Sequence, residues 1–297
     1  MANTISSKSY QPLLAVKDRS FNTAALSQYH LSIHVHDTSF KISCVNPITT
    51  QCLFLETYNL PDGTMQQQVD AIATIYEDNL LLGAGDWSTV TLCNGSQQYT
   101  LIPQDFFQET TAADYLKFAC PIGTNTVRYF THSSINLAVA FAVEPLLLNW
   151  FEKTYEHTQL QTIHQASSLI EATLTYLQGE NASLLPQIIV FVGPNHLHIV
   201  IVQKDKLLYY NRFVYTSSDE FLYYILSVMS ALQLDPSFHE VILAGSIGKG
   251  SVAYRKARRY IRKLSIIDKP PYLKGRRAFS RSILVTHLDV LSTHLCS

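Results

Sequence analysis

The sequence predicts an α/β protein of two lobes with related cores, and three observations carry that expectation. The chain has 297 residues, more than one ordinary hydrophobic core holds and close to two domains of ~150 residues each. It is 47% hydrophobic and 15% charged, which excludes a disordered chain and supports well-filled cores. It also carries one pattern twice: residues 32–45 read SIHVHDTSFKISCV and residues 189–202 read IVFVGPNHLHIVIV. At a constant offset of 157 positions, Val35 falls on Val192, Phe40 on Leu197, Ile42 on Ile199 and Val45 on Val202. Each copy is an apolar strand, a tight polar turn and a second, alternating strand. A third run follows each, at residues 51–60 and 206–215.

Residues 1–25 are polar and aperiodic and are expected to form a partly ordered arm. A first lobe is expected over residues 26–180 and a second over 181–297. In the first, strands at 30–36 and 40–45 flank the Asp37-Thr38-Ser39 turn, and a third runs over 53–58 until Pro61-Asp62-Gly63 breaks it. Met65, Val69, Ile72, Ile75 and Tyr76 have helical spacing, giving a helix over 65–80. Strands at 87–93 and 99–102 flank Asn94-Gly95, a hairpin signal. Short helices are expected over 105–118, and a strand pair at 127–131 and 137–143. Pro145 suits the first turn of a helix to about residue 155 because its missing donor would be orphaned there. A further helix over 166–177 is expected to end near Gly179.

The second lobe opens with the repeated hairpin, and a third strand covers 207–215. Ser217-Ser218-Asp219 supplies caps for a helix to residue 232, with Phe221, Leu222, Ile225, Val228 and Met229 on its apolar face. A short buried strand over 240–244 leads through Gly245-Ser246-Ile247-Gly248-Lys249-Gly250 into a basic helix, which ends by Pro270-Pro271. A strand over 283–287 and a short helix over 288–296 close the chain.

The longest apolar stretch, 135–151, is interrupted by Glu144 and Pro145, so no membrane span is expected; a span needs ~20 uninterrupted apolar residues. No basic start with an apolar segment opens the chain, so no secretory signal is expected. Five cysteines without CxxC spacing (Cys44, Cys52, Cys93, Cys120, Cys296) are read as reduced, buried thiols of a cytoplasmic protein. Net charge is −1, but residues 249–281 hold 12 of the 22 basic residues and one acid, Asp268. Arg255, Arg258, Arg259 and Arg262 fall at i, i+3, i+4 and i+7, opposite a stripe of Tyr254, Ala257, Ile261 and Leu264. Such a face suits an anion, phosphates of nucleic acid or the chain's own acidic remainder.

Strand, hairpin and strand, then helices, given twice with a helical link, resembles the actin, sugar-kinase and heat-shock-chaperone superfamily. The run LLYYNRFVYTSSDEFLYYIL at residues 207–226 looks more specifically like an uncharacterised bacterial domain of unknown function with that fold. The resemblance implies two ribonuclease-H-like lobes with mixed five-stranded sheets flanked by helices, closing on a nucleotide. Pseudo-actin proteins of pilus and secretion assemblies share this plan. It further implies an Asp-x-Gly phosphate turn in the first hairpin; here Asp37 is present but Ser39 replaces the glycine and adds a Cβ where a phosphate approaches. The second-lobe turn, Gly193-Pro194-Asn195-His196, offers no carboxylate, and Pro194 removes a backbone donor. Ala244-Gly245-Ser246 occupies the place of the adenosine-side turn. After Glu144-Pro145, Leu146–Leu148 are bulky where small residues are usual.

Other chemistry is weaker. Leu243 and Gly250 stand where a P-loop requires Gly and Ser or Thr. Ser246 approximates a nucleophile elbow with Asp268 and His287 as partners, yet its bland role is a turn serine capping a helix. His34/His36 and His196/His198 are His-x-His pairs, each sharing one strand face, but no further ligands are evident and no metal site is assigned. Tyr209, Tyr210, Tyr215, Tyr223 and Tyr224 concentrate aromatic surface suited to packing or to stacking on bases. The sequence therefore predicts no catalytic residue and no required cofactor. It points to a non-catalytic scaffold that binds a cytoplasmic protein partner. A second reading is an ATP–Mg²⁺ site at Asp37, Ser39, Gly245 and Ser246. A third is nucleic-acid contact through Arg255, Arg258, Arg259 and Arg262.

Overall fold

The computed structural model describes residues 10–178 and 183–296. Gly179, the expected stop signal of the 166–177 helix, lies outside the described residues. In the first lobe, strands β1 (Leu14–Lys17), β2 (His30–His36), β3 (Ser39–Asn46), β4 (Gln51–Asn59), β5 (Thr89–Asn94) and β9 (Leu160–His164) form one sheet in the order β1-β4-β3-β2-β5-β9. β1 through β4, β3 and β2 are antiparallel neighbours, while β2, β5 and β9 run parallel. The second lobe contains β10 (Gln187–Val192), β11 (His196–Gln203), β12 (Lys206–Val214), β13 (Glu240–Gly245) and β14 (Lys263–Ile266), ordered β12-β11-β10-β13-β14. Its first three strands are antiparallel neighbours and its last three parallel.

The offset of 157 holds at the level of hydrogen bonding. His30 pairs with Val45 in the first lobe and Gln187 with Val202 in the second. Each second hairpin has its irregularity at the corresponding place, between Cys44 and Val45 and between Ile201 and Val202. A bulge increases local twist and bend, so both sheets bend at the same point.

Helices cover the sheets. Thr64 and Gln67 form a reciprocal capping box at the start of α1 (Met65–Asp78). Glu144 accepts from the amides of Leu146 and Leu147 ahead of α3 (Pro145–Thr154). Ser217 caps α5 (Ser218–Ala231) and Ser251 caps α6 (Val252–Tyr260). α4 (Gln165–Tyr176) is buried along nearly its whole length because it packs against β5 and β9 of one sheet and β11 and β12 of the other. One continuous apolar core accordingly joins Ile33, Ile42, Leu169 and Ile170 to Ile189, Phe191 and Val200. The alternate residues of β10, Ile188, Val190 and Val192, face a separate core beneath α5 and α6. A strand buried on both faces reads as a continuous apolar run, as β10 does.

Several sequence-based expectations are corrected. Asn94-Gly95 does not join a hairpin: β5 lies between β2 and β9, both its edges are taken, and β6 (Tyr99–Pro103) joins β8 (Leu137–Val143) and β7 (Thr126–Thr131) in a separate three-stranded sheet covered by α2 (Ala112–Ala119). The strand expected over 283–287 is a helix, α7 (Arg281–Thr286), capped by Ser280; its short apolar run suits either element. Within the expected arm, Leu14–Lys17 is an ordered edge strand, whose pairing partner Phe54–Thr57 lies far along the chain. Arg262 lies beyond the end of α6 at Tyr260, so the four arginines do not share one helix face. Cys120 is half-buried, whereas the other four thiols are buried. β9 and β14 have too few residues to show a period and are not foreseen by it.

Candidate functional site

The polar face of the first hairpin leads to the site. Successive strand residues point to opposite faces, so Leu31, Ile33 and Val35 enter the core while Ser32, His34 and His36 line the other side of β2. Lys41 stands directly across from His34 on β3. The C-terminal helix α8 (Leu288–Leu291) covers this face: Lys41 Nζ lies 2.5 Å from Asp289 Oδ2, and Ser43 donates to the Val290 carbonyl at 3.2 Å. His34 Nδ1 approaches Asp289 Oδ2 to 3.3 Å. Burial opposes ionisation of Asp289, but Lys41 and His34 outweigh it and hold the carboxyl well below its ordinary value. Burial dominates at His34 and lowers its pKa against the pull of Asp289.

At the tip of that hairpin, Asp37 adopts φ 49°, a left-handed conformation that aspartate tolerates better than most residues. His36 Nδ1 lies 3.1 Å from Asp37 Oδ2, and Arg212 Nη2 of the opposite lobe donates to His36 Nε2 at 3.0 Å. His36 thus donates through one nitrogen and accepts through the other, the pattern of an uncharged ring assigned from its partners. The hydrogen bond from His36 chiefly holds Asp37 below the usual carboxylate value, with Arg212 assisting.

The His36 ring also stacks on His196 of the second-lobe turn, with centroids 4.7 Å apart and planes 13° from parallel. Each ring of this stack sits over a glycine. A Cβ at Gly95 would come within 2.5 Å of the His36 ring, and one at Gly193 within 2.5 Å of the His196 ring. Behind the stack, His198 Nδ1 meets Tyr210 Oη at 2.8 Å, Tyr99 stacks on His164 at 4.4 Å, and Tyr99 donates to Asn211 Oδ1 across the lobes at 3.2 Å. Burial pushes His164 and His196 down to about 3 and holds His198 well below its ordinary value. These are uncharged rings packed as aromatic surface.

Between the lobes lies a cavity of about 480 Å³. The structure brings Asp37, Ser39, Gly245 and Ser246 together on its wall, with both turns and His34, His36, His196 and His198. Among the described residues no group of three or more His, Cys, Asp or Glu side chains is disposed to hold a metal ion. Asp268 is engaged by Arg281 at 2.8 Å, which takes it out of any triad with Ser246. Arg255, Arg258, Arg259 and Arg262 lie away from this cavity, exposed on and just after α6. Arg258 turns back onto the carbonyls of Ile261 and Arg262, and Lys256 is paired with Asp219. The tyrosines mostly pack: Tyr210 is buried, Tyr215 donates to the Gly193 carbonyl and Tyr224 stacks on Phe213.

The fold and its cleft define a two-lobed α/β protein of the actin-like ATPase fold. By family, the chain belongs to the proteins of unknown function grouped as DUF3822, whose profile matches residues 18–264. It is similar to a crystal structure from Bacteroides thetaiotaomicron described as a protein with actin-like ATPase fold and unknown function. Identity is 17% over 93% of this chain and 99% of that one, with a TM-score of 0.75. It is also similar to a chain of a PilM-PilN type IV pilus biogenesis complex, at 13% identity over 90% of this chain and 98% of that one, with a TM-score of 0.55. No curated protein matches the chain. Among the described residues no helix is long and apolar enough to cross a membrane.

Proposed function

We propose that the protein is a non-catalytic actin-like scaffold that acts in the cytoplasm by binding a protein partner. The observation that carries this reading is the latch between the two phosphate-turn positions. His36, stacked on His196 and hydrogen-bonded by Arg212, ties one lobe to the other beside those turns. The carboxylates on the cavity wall, Asp37 and Asp289, already serve His36 and Lys41. A fold latched in this way offers a fixed surface, and the likeness to a chain from a pilus biogenesis complex supports a role in assembly. The test is affinity capture with the full chain, with and without Mg·ATP. Recovery of the same stoichiometric partner in both conditions supports the scaffold; capture that requires ATP, or no stoichiometric partner, counts against it.

A second reading, ATP binding, has one observation in its favour: Asp37, Ser39, Gly245 and Ser246 line a single cavity. It predicts saturable Mg·ATP binding abolished by Asp37→Ala in a protein that still folds. Nucleic-acid contact through Arg255, Arg259 and Arg262 rests on exposed, clustered charge. It predicts binding that Arg255→Glu with Arg259→Glu weakens and whose salt dependence becomes shallower.

A further inference from the structure

The basic segment read from the sequence divides in the structure. Lys274 bridges to Gln51 and Arg276 acts on Asp18, both in the first lobe. The other part stays on the outer side of the second lobe, where residues 249–263 hold seven cations and no acid. Two of these are engaged locally: Lys256 pairs with Asp219, and Arg258 turns back onto the carbonyls of Ile261 and Arg262. The other five, Lys249, Arg255, Arg259, Arg262 and Lys263, are exposed and make no ion pair among the described residues. The acids that border them have other partners. Asp235 accepts from Ser237, and Glu240, across from Lys263 in the β13–β14 pair, accepts from Ser265.

Apolar side chains stand among these charges. α6 turns Tyr254 and Ala257 into the outer core, so at about 3.6 residues per turn its opposite side carries Val252, Arg255 and Arg259. Val252 is 61% and Tyr260 59% exposed. Half-exposed Phe238 lies beneath Lys263 Nζ at 4.9 Å, and the Arg262 amide donates to the Pro236 carbonyl at 3.0 Å, which holds that loop beside the end of α6. The boundary of a bilayer takes cationic and apolar side chains together and favours tyrosine, whereas a nucleic-acid backbone gains nothing from an exposed valine between arginines. The outward crest of a helix is convex and meets a plane, while a peptide is held in a groove or along an open strand edge. Charge elsewhere adds an orientation. Residues 42–116, in the first lobe, carry nine acids and no lysine or arginine. A molecule divided in this way turns its second lobe towards a negative surface and its first lobe away.

We propose that the outer side of the second lobe, at Arg255, Arg259, Tyr260, Arg262 and Lys263, docks on the surface of a bilayer containing anionic lipid. A cation close to such a surface strengthens partition about fivefold, so these residues make a reversible contact rather than a permanent anchor. The docking is independent of partner capture, since either can hold without the other.

The experiment is co-sedimentation of the full chain with vesicles of phosphatidylcholine alone and of phosphatidylcholine mixed with phosphatidylglycerol. It is run at low salt and at ~1 M salt, where the screening length falls to about 3 Å. The expected result is sedimentation with the mixed vesicles only, released by salt. Arg255→Glu with Arg259→Glu leaves the Lys256–Asp219 pair and the Arg258 contacts in place and should weaken partition at least about 25-fold. Tyr260→Ser keeps every charge and should still weaken it several-fold. If the charge-reversed variant does not fold, Tyr260→Ser and the salt series on the unaltered chain decide. Equal sedimentation with both kinds of vesicle overturns the proposal, as does partition that these variants leave unchanged. Tighter binding of a duplex DNA oligonucleotide or of poly-glutamate than of the mixed vesicles, at equal salt, also overturns it and assigns this side to a soluble polyanion.

Discussion

The two lobes share a sheet but not a turn. β2 and β3 pair in the same register as β10 and β11, the next pairs β3–β4 and β11–β12 bulge at the same place, and each sheet continues into a parallel half of the same order. Their tips differ. The first turn keeps Asp37 in a left-handed conformation, and the second is Gly193-Pro194-Asn195 without a carboxylate. Their surroundings differ as well. Between β5 and β9 the first lobe inserts a three-stranded sheet with α2 and α3, whereas α6 alone connects β13 to β14. The hidden polar face of the first hairpin carries His30, His34, Lys41 and Ser43 beneath the C-terminal helices, while the outer core of the second lobe is wholly apolar. The difference teaches that burial of the strand pair constrains both copies alike, whereas the exposed tips are free to differ.

The largest expected effect is loss of stability in acid, carried by buried histidines of both lobes. Burial holds His30 and His164 at about 3 and His294 at about 4, against 6.5 in an unfolded chain. Between those values the unfolded chain binds more protons than the folded one, so stability is complete above about pH 6.5 and falls as pH drops toward 4. Each such histidine contributes a slope approaching ~1.4 kcal/mol per pH unit. Hydrogen exchange along an acid series checks this. Amides of β2, β5 and β11, beside these histidines, should lose protection before those of α5 over the outer core, and simultaneous loss would remove the distinction.

Core truncation comes next and should show the lobes as equals. Phe40 and Leu197 are the corresponding residues, each wholly buried. Phe40→Ala should cost ~3–5 kcal/mol and Leu197→Ala ~2–5 kcal/mol in urea unfolding. A cost well under ~1 kcal/mol at Leu197 would mean that the second copy is not core in the same sense.

Arg212→Ala should cost about 1–3 kcal/mol, because it leaves His36 Nε2 unpaired beneath the stack. It should also widen the solution scattering profile as the lobes part, and an unchanged profile would show that the latch does not hold them. The smallest effect is expected from Ser39→Gly. It restores the Asp-x-Gly pattern at the first turn, yet ATP affinity should stay unchanged because the His36–His196 stack remains. A gain of more than about tenfold would make the lost glycine, not the latch, the decisive difference between the turns.

The fold was legible where one face of an element repeats. The paired hairpins, the capped helices α1 and α5, and the run from β8 through Pro145 into α3 all follow from spacing and caps. Asp37, Ser39, Gly245 and Ser246 were also found in sequence, and they do meet on one wall. What escaped depends on distant partners. Arg212 is one of two charges in a tyrosine-rich strand, and its signal was its position opposite His198. Asp289 is the single acid after Asp268, but its pairing with Lys41 spans most of the chain. Asn94-Gly95 misled because a hairpin needs a free edge, and β5 has none.

The most direct measurement is calorimetric titration of the intact protein with Mg·ATP, using adenosine as the reference ligand. A latched cleft without a phosphate cradle predicts that the triphosphate adds no affinity beyond adenosine and that no phosphate is released. A Kd for Mg·ATP at least about tenfold tighter than for adenosine, lost in Asp37→Ala, would contradict the latch and restore the nucleotide to the centre of this protein's function.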